Sequence, residues 1–142
     1  KYDLHIYGKG SLKDMSINAS KKYKKIKYFG FVSHSKIAKI QSESIANICF
    51  RYSHNLNEKY FFPSKFFNFM CLPGHLIVND FINLPKSVKK SCLVVDNDLN
   101  NFSEILKMIN NKKLNYIERN NWLKKYSNWE KTISIVKSKL NL

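Results

Sequence analysis

Three residues in the stretch FPSKFFNFMCLPGHLIVND, Pro63-Ser64-Lys65, have types and spacing that suit anion binding. Proline is at home at a helix start, and the apolar residues that follow read as a helix over 64–72, stopped by Pro73-Gly74. The first turn of a helix leaves main-chain N–H groups without intrahelical partners, and its dipole favours negative charge. A phosphate is well held in such a place. Ser64 can cap the helix or add a hydroxyl donor. Lys65 brings a full positive charge where a helix normally prefers an acid, a placement that an anion would neutralise. The same residues also fit a proline-initiated core helix whose lysine faces water.

Other candidates are weaker. Gly8-Lys9-Gly10 follows a strand and could cradle a phosphate, but it lacks the full G-x-G-x-x-G spacing and equally suits a tight turn. Arg51, one of two arginines in the chain, falls at a strand end and suits either a pyrophosphate contact or a surface ion pair. Asp96-Asn97-Asp98 resembles an Asp-x-Asp metal motif; its position between a strand and a helix favours an N-cap role for Asp98 or Asn97. The histidines are scattered: His5 within a strand suggests packing, His75 a structural role, and His34 and His54 fall in loops. No Ser-His-Asp or Cys-His set is visible. Cys49, Cys71 and Cys92 form no close pair, which argues against a disulfide framework or zinc site and for small buried thiols.

The elements that must position these residues alternate. Strands are expected at 2–7, 26–29, 48–51, 75–80 and 91–98. Helices are expected at 15–25, from Ser33 or Ser35 through Ile37, Ile40 and Ile45, at 64–72, 99–110, 116–126 and 129–140, with loops at 53–59 and 82–90. The strands are continuous apolar runs, the pattern of a parallel sheet covered on both faces. The expectation is one α/β domain over 1–142, a Rossmann-like parallel sheet with helices on both faces and a C-terminal helix in 127–142. Ligands in such sheets bind beyond the carboxyl ends of the strands. Gly8, Gly10, Gly30, Arg51 and the Pro63-Ser64-Lys65 entrance all fall at those ends.

Composition bounds the partners. The chain has 142 residues and a net charge of +15, which favours anionic partners such as nucleic acid, acidic headgroups or nucleotide phosphates. Lys, Asn and Ile are abundant together, so an AT-rich coding bias accounts for many lysines equally well. No apolar run approaches the roughly 20 residues of a membrane span, and no secretion signal opens the chain. It begins on Lys1 and enters a strand almost at once, which reads as a piece of a longer protein.

The stretches YDLHIYGKG, IKYFGFV, FFPSKFFNFMCLPGHLIVND and YSNWEKTISIVKSKL, in that order, resemble the C-terminal, donor-binding domain of bacterial GT-B glycosyltransferases of the group 1, family-4-like kind. The central motif corresponds to Pro63, Lys65, Asn68 and Cys71-Leu72-Pro73-Gly74 before the strand at 75–78; the terminal Tyr-x-x-Trp-Glu corresponds to Tyr126, Trp129 and Glu130. The resemblance covers nearly the whole chain and implies binding of a nucleotide-diphosphate sugar, UDP- foremost or else GDP-, with no metal or other cofactor.

Ser64, Lys65, Arg51, Gly8 and Gly10 would meet the diphosphate, and Phe29, Gly30, Phe31 and Val32 the base. Asn68 stands where the family has a ribose-binding glutamate, and Tyr60 near the place of a second, sugar-binding glutamate. An amide still bonds a diol, though more weakly than a carboxylate. The implied activity is that of a retaining hexosyltransferase acting on a polysaccharide or lipid-linked glycan acceptor, cytoplasmic or peripheral on the inner membrane face. The family's first strand and its N-terminal acceptor domain would precede residue 1, so the fragment alone should turn over little. Two rival expectations are a non-catalytic sugar-nucleotide-binding domain and a basic α/β module for nucleic acid.

Overall fold

The computed structural model describes residues 2–52, 63–81, 84–110, 116–126 and 129–140. The chain is α/β, with parallel strands in two small sheets flanked by helices. Its contacts divide it into two compact units, residues 1–41 and 42–142.

In the first unit, β1 (Leu4–Tyr7) pairs in parallel with β2 (Ile26–Gly30), Leu4 opposite Ile26, across the helix α1 (Lys13–Lys22). The helix starts and ends earlier than the 15–25 expected. Asp14 lies in its first turn and Lys21 and Lys22 in its last, matching the helix dipole. Tyr23 then turns extended, at φ −121° and ψ 112°. Continuous burial was the expectation for every strand, yet no residue of β1 or β2 is buried; in β2 half-buried and exposed positions alternate. The period-2 alternation of a half-covered strand holds in β2, whereas in β1 the first two residues are exposed and the last two half-buried. The helix α2 (His34–Glu43) follows. Ser33 Oγ accepts the Lys36 N–H at 3.4 Å, as an N-terminal cap would. Ile37 and Ile40 are half-buried, and Ile45 lies past the helix and is 60% exposed, so the expected three-isoleucine buried face is reduced to two half-buried positions. His34 opens the helix and does not lie in a loop.

The second unit carries the core. β3 (Ala46–Cys49), β4 (His75–Asn79) and β5 (Leu93–Val95) form a parallel sheet in that order, with Ile48 opposite Ile77 and Val78 opposite Val94. All five residues of β4 are buried, as a central parallel strand requires. The crossover from β3 to β4 holds α3 (Ser64–Met70), which buries Phe66, Phe69 and Met70. These side chains join Cys49, Leu76, Val78, Phe81, Leu84, Val88, Cys92 and Leu123 in one cluster. A four-residue helix, α4 (Lys86–Lys89), stands where a loop was expected at 82–90; Pro85 opens it and Val88 is its buried contact. The helix α5 (Phe102–Met108) is shorter than 99–110 because Leu99, at φ 63°, turns the chain ahead of it. Ile105 and Ile109 are buried, and Phe102 and Leu106 half-buried, on the side expected. The chain continues through α6 (Tyr116–Tyr126) to α7 (Trp129–Leu140).

Candidate functional site

The carboxyl ends of β3, β4 and β5 make one edge of the second unit's sheet. A helix linking adjacent parallel strands runs back against them, so its first turn returns to that edge. Here this turn holds Ser64 and Lys65, both exposed, with Asn68 one turn further on and also exposed. The spacing from Ser64 or Lys65 to Asn68 puts the three on one side of α3, opposite the buried Phe66, Phe69 and Met70.

The position of Lys65 has an electrostatic mark. Burial pushes the Cys49 thiol above its ordinary pKa, and the Lys65 ammonium pulls against that rise. Cys49 ends β3, so the Lys65 charge acts at the carboxyl end of that strand. The expected side-chain cap is absent: Pro63 is the N-cap residue, at φ −70° and ψ 110°, and bonds only through its main chain, the Phe66 N–H reaching its carbonyl at 2.9 Å. A seven-residue helix has a small dipole, so most of the positive potential there belongs to Lys65.

Arg51 follows β3 and is half-buried. Its main chain is gripped by Asn79, the last residue of β4. The Arg51 N–H donates to Asn79 Oδ1 at 2.6 Å, and Asn79 Nδ2 donates to the Arg51 carbonyl at 2.7 Å. Asn79 Nδ2 also donates to Asn97 Oδ1 at 2.8 Å, and Asn97 Nδ2 donates to the Asp80 carbonyl at 3.1 Å. Asn97 therefore does not cap α5, and neither does Asp98, whose carboxylate accepts from Asn100; Asn101 is the N-cap residue, and its own side chain accepts the Asp96 N–H at 3.0 Å. The carboxylate of Asp80 is held by Lys89 at 2.6 Å.

At the opposite edge, beside the amino end of β4, Arg119 of α6 is 1% exposed. Its Nη2 donates to the carbonyls of Leu72 and Gly74, at 2.9 and 2.7 Å, in the turn that joins α3 to β4. Burial lowers its pKa. His75 is buried, with Nε2 3.1 Å from the Ile109 carbonyl, a structural role as expected. Sequence reasoning missed Asn79 and the roles of Asn97, expected as an N-cap, and of Arg119. The signals present were an amide closing an apolar strand and a chain with only two arginines. Cys49 and Cys92 are buried as expected, whereas Cys71 is exposed: it follows the last turn of α3 on the solvent side.

The remaining candidates lie in the first unit. Gly8 adopts φ 129°, and its N–H donates to the Gly30 carbonyl at 2.8 Å, so that donor already serves strand pairing. The Gly10 carbonyl accepts the Lys13 N–H at 3.1 Å at the start of α1. Gly30, at φ 69°, Phe29, Phe31 and Val32 occupy the exit of β2. Phe29 and Phe31 are 49% and 70% exposed. Phe29 stacks on Tyr7 at 4.9 Å with 10° between planes, and His5 meets it edge-on at 5.1 Å. The expected packing role of His5 is thus fulfilled on an open face, not in a core. Lys9 Nζ stands 5.1 Å from the Phe31 ring centroid.

Tyr60 and His54 lie outside the described residues. Among the described residues no cluster of three His, Cys, Asp or Glu side chains is arranged to hold a metal ion, and no helix is long and apolar enough to cross a membrane. Comparison with protein-family models, curated proteins and solved structures finds no match to this chain.

Proposed function

We propose that the carboxyl edge of the β3–β4–β5 sheet binds the diphosphate of a nucleotide sugar, and that the chain supplies the donor-binding part of a glycosyltransferase. The observation that carries this reading is the exposed Lys65 ammonium on the first turn of the crossover helix, acting on Cys49 at the end of β3. An exposed cation at the ligand-binding edge of a parallel sheet suits a polyanion. Lys65 and Arg51 would neutralise the charge that builds on the departing nucleoside diphosphate as the glycosidic carbon leaves it. Ser64 would add a hydroxyl donor, and Asn68 an amide for a ribose diol. UDP and GDP are the nucleotides that the family resemblance favours, and the transfer would be a retaining one to a polysaccharide or lipid-linked glycan. A net charge of +15 suits work at an anionic cytoplasmic membrane surface.

Titration of the chain with UDP and GDP, followed by amide NMR, tests this. UDP or GDP should shift the amides of Ser64, Lys65 and Arg51, and Lys65→Ala should weaken the response about tenfold, the worth of one charge-assisted contact. If both diphosphates leave these amides unmoved at millimolar concentration, the reading fails. Transfer as distinct from binding is tested by donor hydrolysis or sugar transfer with the full-length protein.

One observation favours a second reading, the binding of single-stranded nucleic acid. The aromatics are not all in the core: on the first unit His5 and Tyr7 pack against the exposed Phe29, and Phe31 is exposed beside Lys9. That unit has ten lysines against two aspartates, a net +8 in 41 residues. Exposed rings beside lysines are the means by which sequence-tolerant single-strand binders hold bases and phosphates. Tight, strongly salt-dependent binding of an oligonucleotide, lost in Phe29→Ala and with no response to UDP or GDP, would select this reading over the first.

A further inference from the structure

We propose that Asn79 is the positioning residue of the anion-binding edge, holding Arg51 in register with the sheet so that its guanidinium is presented there. This rests on the reading of that edge as a diphosphate site.

The strand ladder between β3 and β4 ends at Cys49 opposite Val78, so ordinary pairing does not reach Arg51. Asn79 extends it with a side chain. A carboxamide offers an acceptor and a donor side by side, as a main-chain residue does, and here both engage the two main-chain polar groups of Arg51, at 2.6 and 2.7 Å. The second amide proton goes to Asn97 Oδ1 at 2.8 Å, just beyond β5. One side chain, 1% exposed, thereby ties together the carboxyl ends of all three strands.

The network also fixes the amide orientation. The Arg51 N–H needs an acceptor and its carbonyl a donor, and only one placement of Oδ1 and Nδ2 supplies both. The orientation of Asn97 follows in turn, since its Oδ1 receives from Asn79 and its Nδ2 donates to the Asp80 carbonyl. An apolar residue at position 79 would suit the burial but remove both of these bonds to Arg51. An aspartate would keep the acceptor, lose both donors and place a carboxylate against the oxygens of Arg51 and Asn97.

A double-mutant cycle read by UDP affinity tests the assignment on the full chain, using Asn79→Asp, Arg51→Ala, their combination and Lys65→Ala. Asn79→Asp should raise the Kd for UDP about tenfold, and in the Arg51→Ala background it should raise it no further, because its effect passes through Arg51. A purely structural role would give the same factor in both backgrounds, and that outcome overturns the proposal. Asn97→Ala removes the two bonds at the exposed end of the network, to Asn79 and to the Asp80 carbonyl, and keeps the test open if Asn79→Asp does not fold. It should raise the Kd about threefold with Arg51 present and leave it unchanged with Arg51 absent; equal effects in the two backgrounds again overturn the proposal. UDP binding that depends on Lys65 but shows no coupling between positions 51 and 79 sinks this inference alone, whereas no UDP binding by the unaltered chain sinks it together with the diphosphate reading.

Discussion

Arg119 is a guanidinium taken out of water and bonded to two main-chain carbonyls. Both acceptors lie just past the end of α3, where a helix carries partial negative charge. Removing the cation while leaving those carbonyls buried costs more than the hydrogen bonds themselves are worth. Arg119→Met should therefore lower unfolding stability by about 3 kcal/mol in urea titration, and Arg119→Lys, which keeps the charge but not the two-pronged geometry, should recover only part of it. A loss within measurement error for Arg119→Met would show that the clamp is dispensable. Asp3 is the contrasting case, an exposed residue whose electrostatics are read directly in its titration. Hydrogen bonds from Lys27, at 2.8 Å, and Lys25, at 3.1 Å, pull its pKa from 3.8 to about 2. Since the folded value is the lower one, ionised Asp3 favours the folded form above pH 3.8, and that contribution fades as pH falls and is gone below about 2. A carboxyl titration by NMR should show the low midpoint and its return towards 3.8 in about 1 M salt, where screening is strong. A midpoint already near 3.8 in dilute buffer would mean that the lysines do not hold Asp3 in solution.

Among the elements, the turn between α3 and β4 bears the tightest constraint. Gly74 sits at φ +85°, and a Cβ there would lie 2.5 Å from the Ser44 carbonyl oxygen and 3.0 Å from that of Ile45. The Ile45 carbonyl also accepts the His75 N–H at 2.8 Å, so it is not free to withdraw. Gly74→Ala should cost roughly 3 kcal/mol, from left-handed backbone strain together with the clash, measured as a lowered denaturation midpoint; a change under about 0.5 kcal/mol would show that the turn can adjust. This turn was legible in Pro73-Gly74, and the alternation of apolar runs with helical periods was enough to read the α/β class and the parallel strands. The short α4 was not legible, because four residues carry no helical period. Nor was the N-cap of α5: Asp96-Asn97-Asp98 has the right residue types, but Asn97 was already engaged by Asn79 across the sheet. Local capping chemistry gave way to a tertiary hydrogen bond, and no spacing rule announces that. Lys65 could be placed from sequence because the argument was local. Asn79 could not, because its meaning depends on which strands become neighbours.

At the scale of the whole molecule, composition hid an asymmetry. An apolar fraction of 44% suggests one core for the chain, yet among the described residues every buried one lies at position 47 or later. The first unit has a two-stranded sheet and two helices without a single buried residue. Its 41 residues are near the size below which a chain cannot bury enough surface to hold itself together, and a two-stranded sheet is marginal in water. It also carries more than half of the net charge, a net +8 confined to a small volume. Self-repulsion of that kind is weakened by salt. The two units should therefore differ sharply in hydrogen exchange. The β4 amides of Leu76, Ile77 and Val78, at 1%, 1% and 0% exposure, should be the slowest in the chain, opening only with the whole core. Those of β1 and β2 should exchange at least about 100-fold faster, through local opening, and added salt should slow them more than it slows β4. Equal protection of β1 and β4 would show that the first unit draws its stability from something other than its own packing.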